Sequence, residues 1–181
     1  MTWPMRLTLL RIFLVPLILI SILYRRDETP LVAYFPAILF IVAALTDAID
    51  GYLARRNNQI SDIGRFLDPF ADKTLILSIL ICLQFAPAYA IRMPIWVLII
   101  IAARDFIIIM GLITAYATHI TINPKPNILG KITTVSQMAL IGSLLLELPQ
   151  APFFWYSTLL FTLSSTINYI WRETRHLKQP A

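Results

Sequence analysis

Six long apolar runs dominate this sequence, and no other feature constrains the fold as strongly. Short breaks containing proline, asparagine and charged residues separate the runs, which lie at Leu7–Tyr24, Val32–Arg55, Asp68–Ala90, Ile95–Ala117, Leu129–Leu146 and Pro152–Trp171. About 20 apolar residues in a helix are enough to cross the hydrocarbon core of a bilayer. The pattern therefore predicts an all-α, polytopic integral membrane protein with six transmembrane helices, in a single domain of residues 1–181.

The composition excludes most classes of soluble protein. Of the 181 residues, 58% are hydrophobic and only 14% are charged, and the mean hydropathy is +0.73. A soluble domain carries about 25% charged residues. The net charge of +5 does not indicate a nucleic-acid partner, because the cytoplasmic loops of membrane proteins collect lysine and arginine. We predict that the first run is not a cleaved signal peptide, since Arg11 interrupts it and no small-residue cleavage site precedes Arg25.

Basic residues are distributed unevenly between the two sides of a six-span protein. Three lie on one side and Arg104 lies within the fourth run, whereas eleven lie on the side of the termini: Arg6, Arg11, Arg55, Arg56, Arg65, Lys73, Lys125, Lys131, Arg172, Arg175 and Lys178. The side richer in lysine and arginine faces the cytoplasm. We therefore predict a protein of the cell inner membrane, or of an equivalent bacterial-type membrane. Both termini and the junction between the second and third spans would face the cytoplasm.

Four aspartates flank that junction, in the segment TDAIDGYLARRNNQISDIGRFLDPFAD. Asp47 and Asp50 are three residues apart, and Asp68 and Asp72 are four residues apart. Either spacing places both carboxylates on one face of a helix. Ionisable residues in or beside a membrane span are costly, so they are candidates for a functional site.

The chemistry of this cluster suits divalent metal ions. Clustered carboxylates repel one another unless cations neutralise them, and their oxygens are ligands for Mg²⁺ or Mn²⁺. Two such ions about 4 Å apart can clamp a diphosphate and stabilise the oxygens that enter and leave in a displacement. Gly51 and Ala54 keep the adjoining helix face small, and Arg55 offers a guanidinium suited to phosphate. Asp72 could accept a proton from an attacking hydroxyl.

A purely structural role or cation transport would account for parts of this pattern. In a structural role, the aspartates pair with Arg55 and Arg56 or cap the third span. A small cation transporter would also use intramembrane carboxylates, but it would spread them over several spans. Here the carboxylates cluster at one predicted cytoplasmic edge, beside a phosphate-suited arginine. That arrangement favours an enzyme.

At these residues the sequence resembles the CDP-alcohol phosphotransferase family. The complete family signature is matched at its spacing by Asp47-x2-Asp50-Gly51-x2-Ala54-Arg55-x8-Gly64-x3-Asp68-x3-Asp72. The resemblance extends to the first and fifth spans, through Pro4, Thr8, Arg11 and Pro16 and through Gly130-Lys131-x2-Thr134-x2-Gln137. Met5 departs from the family pattern, which has asparagine at this position.

The resemblance implies a six-span fold, usually homodimeric, with a polar cavity that opens to the cytoplasm. It implies two divalent ions, Mg²⁺ or Mn²⁺, held by Asp47, Asp50, Asp68 and Asp72. The CDP-linked donor, CDP-diacylglycerol, would be bound by Asp47, Asp50, Gly51, Ala54, Arg55 and Gly64. Asp72 would deprotonate the acceptor hydroxyl, which attacks the lipid-side phosphorus and expels CMP.

The fourth and fifth spans predict the acceptor. Family members that make phosphatidylglycerophosphate commonly carry A-R-E-x6-R and G-K-x-K-T-x-x-Q there. This sequence has Arg104-Asp105 without a second arginine in the span, and it has Thr133 at the second lysine position. These features are closer to CMP-forming cardiolipin synthases, so we predict phosphatidylglycerol as the acceptor, bound by Arg104, Asp105 and Lys131. The alternative is glycerol 3-phosphate, the acceptor of phosphatidylglycerophosphate synthases.

Overall fold

A computed structural model describes residues 3–25, 29–56, 62–117 and 128–176. Within these ranges the chain forms six α-helices and no β-strand. The helices are α1 (Trp3–Leu23), α2 (Pro30–Arg56), α3 (Asp62–Phe85), α4 (Ile95–Ala117), α5 (Ile128–Leu145) and α6 (Ala151–His176). Each apolar run corresponds to one helix, so the all-α prediction is confirmed for the part of the chain described.

Local sequence explains several helix ends. Helix α2 begins at Pro30, a residue favoured in the first helical turn, and the carbonyl of the preceding Thr29 accepts a hydrogen bond from the Ala33 amide at 3.0 Å. Helix α3 begins at Asp62, earlier than its apolar run predicts. The first turns of this helix contain polar residues, so the apolar run does not include them. It ends at Phe85 because the following Ala86-Pro87 step disfavours helix.

One described helix meets the length and composition requirements of a membrane span. Among the described residues, α5 is the one helix long and apolar enough to cross a membrane. Shorter apolar stretches of helix lie at Phe13–Leu23, Val32–Thr46 and Lys73–Phe85. Large apolar side chains such as Phe153, Leu160 and Ile167 on α6 are more than 60% exposed. Exposed apolar surface of this extent indicates a lipid or protein environment around the helices.

The helices fall into two compact units, each with its own core. The first contains Met1–Arg92 and Ile141–Leu148. In this unit α1 packs against both α2 and α3. Its fully buried apolar side chains include Ile18 and Ile22 on α1 and Ile76, Ile79 and Leu80 on α3. Helix α1 is therefore the element around which the first unit is organised, and the aspartate-bearing α2 and α3 both pack on it.

The second unit contains Met93–Leu140 and Pro149–Ala181, and here α4 packs against α6. Gly111 on α4 permits this approach, because a β-carbon at this position would overlap the hydroxyl of Tyr169 on α6. Helices α5 and α6 are joined by hydroxyl groups: Thr133 donates to the Phe161 carbonyl at 3.2 Å, and Thr158 donates to the Ser136 carbonyl at 3.0 Å. Hydroxyl bonds of this kind, between helices, are typical of membrane proteins.

Glu147 is the centre of a polar cluster in the first unit, which joins the segments that follow α1, α3 and α5. Glu147 terminates α5 in a left-handed conformation, with φ of 49°. Its carboxylate accepts hydrogen bonds from the Ala90 amide at 2.8 Å and from Arg25 Nη2 at 3.0 Å. The Arg25 guanidinium lies 4.4 Å from the ring centroid of Tyr89, which is buried. Burial lowers the pKa of Arg25, but Tyr89 and Glu147 outweigh this effect and raise the pKa above its ordinary value. The arginine therefore stays charged.

Replacing Glu147 by glycine is expected to destabilise the protein, although glycine suits its backbone better. A non-glycine residue in the left-handed region costs about 1–2 kcal/mol, but hydrogen bonds to charged groups contribute about 1.5–3 kcal/mol each. The lost contacts therefore outweigh the relieved strain. Thermal unfolding of the purified protein in detergent measures the change, and Glu147→Gln, which keeps an acceptor for Ala90, should lie between wild type and Glu147→Gly. An unchanged or higher midpoint for Glu147→Gly would contradict this account.

Candidate active site

Two of the four aspartates lie near the C-terminal end of α2, and the other two lie near the N-terminal end of α3. Asp47 and Asp50 belong to α2, and Asp68 and Asp72 belong to α3. Asp50 lies six residues before the last residue of α2, and Asp68 lies six residues after the first residue of α3. The prediction that each pair lies on a helix is therefore confirmed. A segment of this length spans about 9 Å along a helix axis.

The side chains of residues 47–72 lie outside the part of the chain that the structure describes. This segment contains all the predicted metal and donor-binding residues: Asp47, Asp50, Gly51, Ala54, Arg55, Gly64, Asp68 and Asp72. Among the side chains that are described, no group of three or more histidines, cysteines, aspartates or glutamates could hold a metal ion. The aspartate set fits a hard divalent cation by the chemistry of its donors, since it offers carboxylate oxygens and no nitrogen or sulfur.

Two of the predicted acceptor residues form a buried ion pair on α4. Arg104 is 4% exposed and Asp105 is 2% exposed, and Arg104 Nη1 lies 2.6 Å from Asp105 Oδ1. The charges of the two residues therefore compensate each other inside the second unit. Burial of an ion pair is tolerated only where further hydrogen bonds satisfy its remaining donors and acceptors.

Those further hydrogen bonds come from the neighbouring helices. Arg104 Nη2 donates to the Ser165 hydroxyl of α6 at 3.0 Å, and Gln137 Nε2 of α5 donates to Asp105 Oδ2 at 3.5 Å. Arg104 Nε is also buried, and it has no hydrogen-bond partner among the residues described. The structure thus brings together a polar cluster from three helices, which we call the α4 pair cluster: Arg104, Asp105, Gln137 and Ser165.

Lys131, the third predicted acceptor residue, is exposed on α5. No described hydrogen bond or ion pair joins Lys131 to the α4 pair cluster. The nearby Thr133 is fully buried, and its hydroxyl donates to the carbonyls of Leu129 at 2.8 Å and Phe161 at 3.2 Å. Thr133 therefore faces α6.

Sequence reasoning missed the contribution of Ser165 to this site. Its signal is a spacing: Thr158, Thr162 and Ser165 recur at four and three residues along an otherwise apolar helix, and all three are buried. That spacing places them on one face of α6. Gln137 was part of a recognised motif, but the motif alone assigned it no contact.

The comparisons with known proteins agree with the sequence motif. A CDP-diacylglycerol–glycerol-3-phosphate 3-phosphatidyltransferase from Bacillus subtilis (strain 168) is 35% identical, over 97% of this chain and 96% of that protein. A cardiolipin synthase (CMP-forming) from Streptomyces coelicolor is 34% identical, over 81% of this chain and 66% of that protein. A probable cardiolipin synthase (CMP-forming) from Drosophila melanogaster is 35% identical, over 73% of this chain and 47% of that protein.

Family membership follows from the length of the match as well as from these relatives. The family model described as CDP-alcohol phosphatidyltransferase matches residues 1–165, which include both aspartate pairs and the α4 pair cluster. Members of this family generally use divalent metal ions and are associated with membranes. The chain belongs to the CDP-alcohol phosphatidyltransferase family and is an enzyme of anionic phospholipid synthesis.

Proposed function

We propose that this enzyme transfers a phosphatidyl group from CDP-diacylglycerol to phosphatidylglycerol and releases CMP, as a CMP-forming cardiolipin synthase does. The observation that carries the choice of acceptor is the buried Arg104–Asp105 pair, in which the arginine charge is already matched at 2.6 Å. A dianionic acceptor needs excess positive charge at its site. The glycerol headgroup of a lipid needs less, because the acyl chains supply part of the binding free energy.

At the donor end we propose that four aspartates of α2 and α3 hold two divalent ions: Asp47, Asp50, Asp68 and Asp72. When bound, such ions neutralise phosphate oxygens and stabilise negative charge on the leaving group. Arg55 pairs with a phosphate of the donor, since a guanidinium matches phosphate geometry. Gly51, Ala54 and Gly64 present little side-chain bulk, which allows the CDP moiety to approach the helix backbone.

In the reaction that we propose, Asp72 acts as the general base. Its carboxylate accepts the proton of the acceptor hydroxyl, and the acceptor oxygen attacks the phosphorus that carries the diacylglycerol. A new phosphodiester bond forms while the bond from that phosphorus to the bridging oxygen breaks, and CMP leaves with the electron pair. Arg55 stabilises the charge that develops on the departing phosphate.

At the acceptor end we propose that Arg104 and Asp105 bind the headgroup, with Lys131 at the edge of the site. Arg104 retains a buried donor, Nε, for a headgroup oxygen. Lys131 is exposed, so it can contact a lipid phosphate at the membrane surface. Thr133 supports the same acceptor, since this buried and uncharged residue adds no positive charge for the dianionic phosphate of glycerol 3-phosphate.

Glycerol 3-phosphate is the second candidate acceptor, and specific observations favour it. The relative from Bacillus subtilis, which matches this chain over almost its whole length, is named for transfer to glycerol 3-phosphate. So is a relative from Haemophilus influenzae, at 30% identity over 78% of this chain. The two acceptors share a glycerol hydroxyl as nucleophile, so the donor chemistry that we propose is the same for both.

We further propose that the enzyme is a homodimer with six membrane spans and that its active site faces the cytoplasm. The excess of basic residues on the side of the aspartate junction supports this orientation. The extensive exposed apolar surface of α2, α4 and α6 supports burial of those helices in lipid or against a second subunit.

A comparison of the two acceptors in separate reactions tests the proposed function directly. The purified protein is given CDP-diacylglycerol and Mg²⁺ or Mn²⁺, with phosphatidylglycerol and glycerol 3-phosphate supplied in separate reactions. We expect CMP and cardiolipin from phosphatidylglycerol, identified by mass spectrometry of the lipid product, and no CMP when a chelator replaces the metal. Phosphatidylglycerophosphate formed from glycerol 3-phosphate, with no cardiolipin from the other reaction, would identify the second candidate as correct.

A further inference from the structure

The Arg104–Asp105 ion pair is unusual because its members are adjacent on one helix. Neighbouring residues of an α-helix project about 100° apart and do not face each other. Arg104 Nη1 nevertheless lies 2.6 Å from Asp105 Oδ1, and both side chains are buried. Both side chains must therefore turn toward each other, and groups outside α4 are needed to hold them in that arrangement.

Two buried side chains supply those groups, one from each neighbouring helix. The Ser165 hydroxyl of α6 accepts a hydrogen bond from Arg104 Nη2 at 3.0 Å, and Ser165 is 1% exposed. The Gln137 amide of α5 donates to Asp105 Oδ2 at 3.5 Å, and Gln137 is fully buried. Each residue holds a different member of the pair, so the pair is supported from both sides.

Ser165 differs from the other buried hydroxyl residues of α6. Thr158 donates to a backbone carbonyl of α5, and Thr162 donates to the Thr158 carbonyl one turn earlier. Among the buried hydroxyls described on this helix, Ser165 is the one that contacts a charged side chain. Its contact therefore orients a functional group, whereas the two threonines serve helix packing and helix geometry.

One nitrogen of the Arg104 guanidinium is left without a hydrogen-bond partner among the described residues. Nη1 of Arg104 is engaged by Asp105 and Nη2 by Ser165, while Nε is buried with no partner among the residues described. Buried polar groups in native proteins are nearly always hydrogen-bonded, to protein, water or ligand. The contacts of the guanidinium with Asp105 and Ser165 hold its plane, and they thereby set the direction in which Nε points.

We propose that Ser165 and Gln137 are positioning residues for the acceptor substrate. By holding the two ends of the Arg104–Asp105 pair, they direct Arg104 Nε toward an oxygen of the glycerol headgroup. They act through the pair, and neither needs to contact the substrate. This inference rests on the proposed function, in which Arg104 and Asp105 bind the acceptor. It adds α5 and α6 to the elements that determine acceptor affinity.

Steady-state kinetics of the full-length enzyme in detergent test this proposal, with the KM for the acceptor and the KM for CDP-diacylglycerol measured separately. Ser165→Ala is expected to raise the acceptor KM by about tenfold, the loss that corresponds to one hydrogen bond to a charged group. Gln137→Met, which removes a longer contact, is expected to raise it by about threefold. The donor KM should stay unchanged, and Ser165→Thr, which keeps a hydroxyl, should restore the acceptor KM.

Thr162→Val is the matched control, because Thr162 is also buried on α6 and its hydroxyl bonds to its own helix. This variant should keep both KM values. The proposal is overturned if Ser165→Ala leaves the acceptor KM unchanged, if both KM values rise together, or if Thr162→Val shows the same rise. Should Ser165→Ala fail to fold, Gln137→Met carries the same comparison. Wild-type enzyme without CMP release on either acceptor would overturn the proposed function, whereas an active wild type with unaffected variants overturns this proposal alone.

Discussion

Asp72→Asn is expected to lower the turnover number by about 10²- to 10⁴-fold, the contribution that general-base catalysis makes in enzymes. An amide cannot accept the proton of the acceptor hydroxyl at neutral pH. It does keep an oxygen in nearly the same place, so a metal ion held by Asp72, as we propose, would retain a ligand there. We therefore expect binding of CDP-diacylglycerol to be largely preserved, as measured by equilibrium binding of the radiolabelled lipid alongside single-turnover CMP release.

Asp62→Asn is the matched control for this experiment. Asp62 begins the same helix, α3, and it occupies a variable position of the family signature, between Arg55 and Gly64. Asparagine and aspartate are equally good at a helix N-terminus, so the change should leave the fold and the turnover number near wild type. If Asp72→Asn retained wild-type turnover, Asp72 could not be the base. If it lost donor binding to the same extent as turnover, its main role would be that of a metal ligand.

The helical fold could be predicted because each helix coincides with one long apolar run of the sequence. The ends of helices were harder to predict where polar residues continue the helix beyond the apolar run. Helix α3 starts at Asp62, six residues before the predicted Asp68, and α6 continues to His176, past the predicted Trp171. Hydrophobicity carries no signal at such ends, whereas backbone hydrogen bonding continues through them.

Only the residues of the site that a local sequence pattern marks could be predicted. The cost of charge inside a membrane span identified Arg104 and Asp105 as functional candidates. The contacts that neutralise and orient this pair come from Gln137 and Ser165, which are 32 and 60 residues beyond Asp105 in the chain. Contacts between distant segments depend on how α4, α5 and α6 pack, and no local pattern encodes that packing. The support of this pair is therefore not a local property of the sequence.

Glu147 is a second case in which contacts with distant residues could not be predicted from the local sequence. A helix that ends in the left-handed conformation usually has glycine there. This chain places glutamate at that position with φ of 49°. The contacts with Arg25 and Ala90 explain why glutamate occupies this position, but both partners lie more than fifty residues away in the sequence. Tertiary contacts have overridden the local preference.

Among single substitutions in the second unit, one that breaks the Arg104–Asp105 pair is expected to lower the free energy of unfolding most. Asp105→Leu leaves the arginine buried without its counter-charge, and breaking a buried pair in this way costs about 3–5 kcal/mol. The free energy of unfolding should fall by that order, measured by thermal or denaturant unfolding in detergent. Ser165 can still accept from Nη2, but a hydroxyl cannot neutralise the charge.

The double variant Arg104→Met/Asp105→Leu separates stability from catalysis. Replacing a buried pair by apolar residues of similar volume is often neutral or stabilising, because no desolvated charge remains. We expect the double variant to recover most of the stability that Asp105→Leu loses. We also expect it to release no CMP, because both of the groups that we propose to bind the headgroup are gone. A stable and active double variant would show that the pair serves the fold alone, and acceptor binding would then have to be assigned to other residues. A stable and inactive one would assign the pair to the reaction, since the loss of activity could no longer be attributed to unfolding.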